Sequence, residues 1–253
     1  MAATPGVEAL WRYPVKSMQG HPVDVISVGP LGVVGDRSVG LIDREAGRLA
    51  SAKRFGRLLE ATGHEDEIVL PDGSRVALDA ADAADRLSAW LGHAVEPARV
   101  GPDTEQQYQM TLDPPNDEAE FFDIPAPKGT FFDWAPVHIV SAATLAHCAA
   151  ARPDLDWDIR RFRPNIVIGG ALEPFAEDGW VGRDLRLGGA VLTVRQPTVR
   201  CAMPLRAQPG LERQPGLFSA MNDLNAAFPN HLGVYLDVAE PGEIRVGDAV
   251  ELV

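Results

Sequence analysis

Apolar residues occur along the chain in short runs that are interrupted by glycine and proline. Runs of this length favour strands joined by turns over long helices. Pro71-Asp72-Gly73 is typical of a tight hairpin turn, because proline presets one backbone dihedral and glycine allows a positive φ. The strands predicted from these runs lie at residues 7–13, 23–28, 39–43, 68–70, 76–78, 137–140, 166–168, 185–187, 191–194, 234–238 and 244–250.

A few helices are predicted between these strands. Residues 81–91 bring their apolar side chains onto one face, and Gly92 is placed to end that helix. Ser141 is a suitable N-cap for a helix that runs to about residue 151, and residues 219–227 predict another. We therefore predict a mainly β fold with some α (α+β) and a barrel-like architecture.

The predicted elements fall into two groups. Residues 7–100 form one group, a barrel-like N-terminal domain, and residues 130–253 form the other. Between them, residues 101–129 are acidic and rich in proline, which predicts a long connecting loop. This loop is either a lid or a plain tether.

Composition narrows the function. The 253 residues carry a net charge of −13 and no long run of Lys or Arg, which argues against nucleic-acid binding. No segment approaches the roughly 20 apolar residues of a membrane span, and the first 14 residues lack a signal-peptide pattern, so we expect a cytoplasmic protein. The two cysteines, Cys148 and Cys201, are too few for an iron–sulfur cluster, a cysteine zinc site or a disulfide framework.

Three segments combine cations with hydroxyl, amide or glycine residues. Lys16 and Ser17 follow the first strand on a turn that suits a phosphate, although a solvated turn explains them as well. Arg37 follows a glycine-rich turn and either clamps an anion or pairs with a carboxylate. In the cluster at residues 160–165 (RRFRPN), Arg163 and Asn165 share one face of an extended segment with Arg161, and either internal carboxylates or a ligand must balance the charge.

Cys201 is the candidate functional thiol. It lies in a proline-flanked loop directly after Arg200, which would favour the thiolate. Cys148 lies among alanines, which predicts a packing role. A thiol hydrolase with His138 or His231 as base remains an alternative, while phosphate-binding and dinucleotide-binding glycine motifs do not occur.

Taken in order, these motifs resemble the MOSC family, named after the C-terminal domain of molybdenum-cofactor sulfurase, together with its N-terminal β-barrel companion domain. The resemblance runs from about residue 7 to the C-terminus. The motifs that carry it are YPVKS at 13–17, GDR at 35–37, RFRPN at 161–165, FAEDGW at 175–180, RC at 200–201 and IRVGD at 244–248.

The resemblance implies that the chain binds molybdenum cofactor, a pterin with a dithiolene and a phosphate. Cys201 carries over as the catalytic residue and molybdenum ligand, since a thiolate is a soft donor. Anchors of the cofactor are expected at Lys16, Ser17 and Arg37. Further polar contacts are expected at Ser141, Arg163, Asn165 and Arg200.

The activity implied by this resemblance is the reduction of N-hydroxylated or other N-oxygenated small molecules, as in the amidoxime-reducing members. Electrons are expected from a separate reductase, because two cysteines cannot hold a redox cluster. After Arg200-Cys201 this chain has Ala202-Met203, where those members usually have a hydroxyl and then an acidic residue. The alternative is a non-catalytic carrier or sulfur-transfer module for the cofactor.

Overall fold

A computed structural model describes residues 4–253. The α-helices are α1 (Ala83–Leu91), α2 (Ala142–Ala151), α3 (Ile159–Phe162) and α4 (Gly216–Leu224), and short 3₁₀ turns occur at Gly56–Glu60, Ala176–Trp180 and Met203–Leu205. The strands are β1 (Gly6–Arg12), β2 (His21–Val23), β3 (Val25–Gly29), β4 (Gly32–Val33), β5 (Val39–Asp43), β6 (Arg48–Leu49), β7 (Thr62–Gly63), β8 (Glu67–Val69), β9 (Arg75–Ala77), β10 (Val95–Arg99), β11 (Gln107–Met110), β12 (Phe122–Pro125), β13 (Val137–Ser141), β14 (Ile166–Gly169), β15 (Asp184–Leu187), β16 (Ala190–Val199), β17 (His231–Glu240), β18 (Gly242–Arg245) and β19 (Val250–Leu252).

An eight-stranded sheet organises the larger lobe, in the order β19-β15-β16-β17-β13-β14-β1-β2. Its neighbours are antiparallel except for β13 and β14, which are parallel. The sheet curls back on itself, because Val7 N–H donates to Asp248 O over 2.8 Å and Gly247 N–H donates to Val7 O over 2.8 Å. Apolar side chains on its inner face form the main core.

The larger lobe takes strands from both ends of the chain. Strand β1, which was predicted to belong to the N-terminal domain, pairs with β14 from Gly6↔Gly169 to Leu10↔Ile166. Strand β18, from the other end of the chain, pairs with β3. Ile26 of β3 and Ile244 of β18 both lie in the main core, so the larger lobe needs residues from both halves of the sequence.

The smaller lobe packs three-stranded sheets β10-β5-β6 and β7-β8-β9 and helix α1 around its own apolar cluster. Its hairpin forms at Asp72-Gly73 as predicted, with Gly73 N–H donating to Leu70 O over 2.9 Å. Gly92 ends α1 in the left-handed region at φ +72°, and its N–H donates to Ser88 O. Local turn and cap residues therefore predicted the β8–β9 hairpin and the end of α1, while β6, β7 and β10 were not predicted.

Residues 101–129 contain structure that the sequence analysis did not predict. Strands β11 and β12 form an antiparallel pair from Gln107↔Pro125 to Met110↔Phe122. The fully buried Tyr108 joins this pair to Phe131 and Leu49 in a small cluster. The connecting segment is therefore not a plain loop, because it contains a strand pair whose Tyr108 is buried.

Three other predicted elements have different limits. The strand predicted at 23–28 is two strands, and the β segment predicted at 244–250 is divided into β18 and β19 by a turn at Gly247-Asp248, which its Gly-Asp pair predicts. The last helix begins before its predicted start and ends at Leu224. No helix within residues 4–253 has the length and apolar character needed to cross a membrane.

Candidate cofactor-binding site

A cavity rich in cations lies where the lobes meet, and we call it the basic cavity. The turn after β1, the turn before β5, the α3–β14 junction and the loop after β16 each contribute to its wall. Chain segments far apart in sequence are thus brought to one place. The predicted site residues that line it are Lys16, Ser17, Arg37, Arg163, Asn165, Arg200 and Cys201.

Three of these residues have strained backbones. Ser17, Arg37 and Arg163 adopt positive φ values of +68°, +47° and +55° although none is glycine. Such conformations cost on the order of 1–3 kcal/mol each and cluster at binding and catalytic sites. Their coincidence at one cavity indicates that the fold holds these side chains in place for a ligand.

Asp133 clamps two buried lysines at the wall. Its carboxylate pairs with Lys16 Nζ and, over 2.7 Å, with Lys53 Nζ. Burial lowers the pKa of Lys16 to about 8, against the opposing effect of Asp133. Burial would raise the pKa of Asp133, but the two lysines outweigh it and hold that pKa well below its usual range.

Arg37 is paired inside the protein, in agreement with the carboxylate alternative. Its guanidinium pairs with Asp36, whose Oδ1 also accepts from Tyr13 N–H over 2.7 Å. Burial acts to lower the pKa of Arg37, but Asp36 outweighs it and raises that pKa overall. Arg37 is therefore a permanent, oriented cation with part of its edge facing the cavity.

Arg163 lacks a carboxylate partner. One amino group, Nη1, donates to Met18 O over 2.5 Å, and the guanidinium lies over the Tyr13 ring at 4.2 Å. The other, Nη2, is buried and has no hydrogen-bond partner among the described residues. Burial, and then repulsion by Arg37, lowers the pKa of Arg163 to about 10. A buried cationic N–H without a partner is costly, which makes this group a candidate contact for an anionic ligand.

Arg200 and His138 lie side by side in the same wall. Arg200 Nη2 donates to Phe162 O over 2.7 Å, and Nη1 lies 3.4 Å from His138 Nε2. Burial, and then Arg200, keeps the pKa of His138 well below its usual value. In the described part of the chain, no hydrogen bond joins Cys201 to His138 or His231. The geometry gives the thiol-hydrolase alternative no support.

The arginine cluster does not form the predicted extended segment. Asp158 caps the short helix α3 by accepting from Arg160 N–H over 2.9 Å, so residues 159–162 are helical. Arg160 pairs with Asp158 over 2.7 Å, and Arg161 donates to Glu212 O over 2.8 Å. Arg160 is thus paired inside the protein, while the buried atoms Arg161 Nε and Arg163 Nη2 have no hydrogen-bond partner among residues 4–253.

Two predicted contacts have structural roles. Ser141 is fully buried and caps α2, where its Oγ accepts from Thr144 N–H over 3.1 Å, and it does not line the basic cavity. Asn165 lines the cavity, but its Oδ1 accepts from His138 N–H over 3.2 Å and so joins two strands. Cys148 is buried in α2, as its alanine-rich surroundings predicted, and burial raises its pKa to about 12.

A second cavity opens on the other side of Cys201, and we call it the apolar cavity. Met110 and Leu112 line it from the β11–β12 segment, and Phe218 lines it from α4. Cys201 is partly exposed and lies in the wall that the two cavities share. The shared wall consists of Asp133, Trp134, Val199, Arg200, Cys201 and Tyr235.

Comparison with known proteins agrees with this arrangement. The model of the MOSC domain matches residues 127–251, and the model of the MOSC N-terminal beta barrel domain matches residues 4–90. The chain belongs to the MOSC family. Its membership associates the protein with molybdenum cofactor.

This MOSC protein also resembles individual proteins. It is 27% identical to mitochondrial amidoxime-reducing component 1 from Homo sapiens over 291 residues, covering 98% of the chain and 82% of the relative. The YUAD protein from Bacillus subtilis has a similar fold, with a TM-score of 0.52 at 15% identity over 100% of this chain and 97% of the other. The second similarity concerns the fold alone.

The residues of the basic cavity fit a molybdenum cofactor. Its phosphate needs cations and N–H donors, and the unpartnered Nη2 of Arg163 supplies one next to the cationic Lys16 and Arg37. Its metal prefers a soft donor, and Cys201 is the thiol at this cavity. Charge and donor softness both match the cofactor.

Three residues of the site were missed by the sequence analysis. Lys53 and Asp133 form an ion-pair cluster with Lys16. Tyr108 lies next to this cluster, and its ring centre is 4.2 Å from Lys53 Nζ. Lysine is rare in this chain, which has only three, so each buried one could have been singled out. Asp133 also stands out as a charge inside the apolar stretch at residues 131–135 (FFDWA).

Proposed function

We propose that this MOSC protein binds molybdenum cofactor in the basic cavity and reduces N-hydroxylated or other N-oxygenated small molecules. The observation that carries the proposal is the position of Cys201 between two unlike cavities, one cationic and one apolar. A cofactor on one side and a small-molecule substrate on the other would meet at this thiol. The similarity to an amidoxime-reducing component supports the reaction class.

Each cavity residue has a role in this proposal. Lys16, Ser17 and Arg37, from the N-terminal part of the chain, hold the cofactor. Arg163 donates a hydrogen bond from its unpartnered Nη2 to an anionic group of the cofactor. Arg200 lies next to Cys201 and adds a cation to the wall at this thiol. When bound, the cofactor would supply the two-electron chemistry of N–O cleavage, with Cys201 as its ligand from the protein.

The overall reaction balances with an external reductant. R–NH–OH, two electrons and two protons give R–NH₂ and water. We propose that the electrons come from a separate donor protein. The cytoplasmic location stays a prediction, and the name of the human relative places that protein in mitochondria.

Metal analysis tests the proposal. We expect near-stoichiometric molybdenum and pterin in protein from a cofactor-competent host. Cys201→Ala should lower the molybdenum content by at least about tenfold and abolish reduction of an amidoxime with an artificial electron donor. Cys148→Ala, which removes the buried thiol of α2, is the matched control and should retain both. Wild-type protein without molybdenum and pterin would contradict the proposal.

The carrier alternative has one observation in its favour. Ala202 and Met203 follow Cys201, where amidoxime-reducing members usually have a hydroxyl and an acidic residue. A carrier would contain cofactor, fail to reduce N-oxygenated compounds, and reactivate a cofactor-free molybdenum enzyme on mixing. The same purified protein can be used for both assays.

A further inference from the structure

We propose that the apolar cavity selects the substrate and that Met110, Leu112 and Phe218 determine this specificity. The cavity fits a neutral N-hydroxylated molecule whose remaining body is apolar and about the size of an aryl ring. Its polar head would face Cys201, and its body would lie against these three side chains. The inference rests on the proposed function for the identity of the reacting head.

The wall of the apolar cavity offers contact area and few free polar groups. Met110 is the last residue of β11, and Leu112 lies two residues after it. Phe218 comes from α4, in the C-terminal half of the chain. Tyr108 also lines the cavity, but its hydroxyl already donates to Asp133 O over 2.6 Å. An apolar body gains free energy from such a wall in proportion to the area that it covers.

The charges at this wall already have partners in the protein. Lys53 pairs with Asp133 over 2.7 Å, and Arg200 donates to Phe162 O over 2.7 Å. The basic cavity differs, because there Arg163 Nη2 is unpartnered. A charged substrate body would lose hydration in the apolar cavity without gaining a new ion pair. Neutral molecules are therefore favoured.

Ion pairs connect the segment after Leu112 to the C-terminal half of the chain. Asp117 accepts from Arg213 Nη2 over 2.8 Å and also pairs with Arg206, while Pro115 O accepts from Arg213 over 2.8 Å. These contacts tie the segment that bears Leu112 to the C-terminal half. Leu112 is 87% exposed, so it has little protein contact of its own and is available to a ligand.

Alkylation of Cys201 tests the cavity without turnover. Protein from a cofactor-deficient host is treated with N-phenylmaleimide or N-ethylmaleimide, and peptide mass spectrometry follows the rate at Cys201. The phenyl-to-ethyl rate ratio, divided by the same ratio for a small free thiol, should exceed one. Leu112→Asp and Phe218→Ser should each lower this quotient by about threefold or more, because apolar contact is lost.

Leu31→Asp is the matched control for this experiment. Leu31 is also an exposed leucine, at 62%, and it lies outside the apolar cavity. Its replacement should leave the quotient unchanged, and thermal melting verifies that each variant is folded. A wild-type quotient of one, or a quotient that neither cavity variant lowers, would overturn the proposal.

Turnover by cofactor-loaded protein separates this inference from the proposed function. We expect kcat/KM for an aryl amidoxime to exceed that of its para-carboxylate analogue by about tenfold, and Leu112→Lys to narrow the gap. Equal reduction of both compounds would contradict the specificity inference alone. Reduction of neither compound, with the aryl preference of alkylation intact, would contradict the proposed function alone.

Discussion

The basic cavity and the apolar cavity share a wall at Cys201 but differ in which of their polar atoms lack a hydrogen-bond partner. In the basic cavity, Ser17, Arg37 and Arg163 have strained backbones, and Arg163 Nη2 is buried without a partner. In the apolar cavity, the Tyr108 hydroxyl, the Lys53 ammonium and the Arg200 guanidinium have partners in the protein. Among the described residues, the unpartnered guanidinium donors Arg161 Nε and Arg163 Nη2 therefore belong to the basic cavity, whereas the unpartnered buried atom of the apolar cavity is an acceptor, Asn230 Oδ1.

Removal of the carboxylate that both cavities share should have the largest effect. Asp133→Asn leaves Lys16 and Lys53 buried without their counter-ion, and we expect a loss of about 3 kcal/mol in the free energy of unfolding. Urea denaturation measures this loss. Asp66→Asn, which breaks the exposed pair with Arg99, is the control and should change the stability by less than about 1 kcal/mol.

Charge reversal at Arg163 tests the basic cavity independently of the apolar cavity. Arg163→Glu removes the unpartnered donor and adds a negative charge, so we expect cofactor occupancy to fall by about a hundredfold. Arg186→Glu reverses an exposed arginine on β15 and should leave occupancy unchanged. Metal and pterin analysis measures both. Full occupancy of folded Arg163→Glu would show that Arg163 does not bind the ligand.

The pH dependence of anion binding should sharpen the difference further. With a pKa of about 8 instead of 10.5, Lys16 loses its positive charge as the pH rises through 8. Sulfate keeps its charge in this range, and its affinity for cofactor-free protein should fall by about tenfold between pH 7 and 9.5. Titration calorimetry measures the affinity. The fall should be much smaller in Lys16→Arg, because arginine stays charged.

The smallest effect is expected at Ser141, which the resemblance places in the site and the structure places at a helix cap. Ser141→Ala removes the acceptor for Thr144 N–H, so we expect a loss of about 1 kcal/mol in stability. Cofactor occupancy should not change. A selective loss of cofactor at unchanged stability would return Ser141 to the site.

Local sequence predicted much of the fold. The Asp72-Gly73 turn, the Gly92 cap and the Ser141 cap act within a few residues, and each occurs at its predicted position. The β11–β12 pair was missed because it depends on Tyr108 packing against Leu49 and Phe131. Such contacts join distant residues and leave no local pattern.

The site shows the same division. Motif order brought out Lys16, Arg37, Arg163 and Cys201, and the structure gathers all of them at the basic cavity. The sequence could not show that Asp158 would start a helix and turn Arg161 towards backbone carbonyls. Nor could it show that Asp133 faces two lysines that are 117 and 80 residues away along the chain.

The pairing of strands from both ends of the chain has a consequence for biosynthesis. Strand β3 pairs with β18, and Val7 of β1 forms backbone hydrogen bonds with Asp248 and Gly247. Lys16, Ser17 and Arg37 leave the ribosome first, but the sheets that frame them close only after residues 242–252 have emerged. Under the proposed function, we therefore expect the cofactor to bind after this segment has been synthesised.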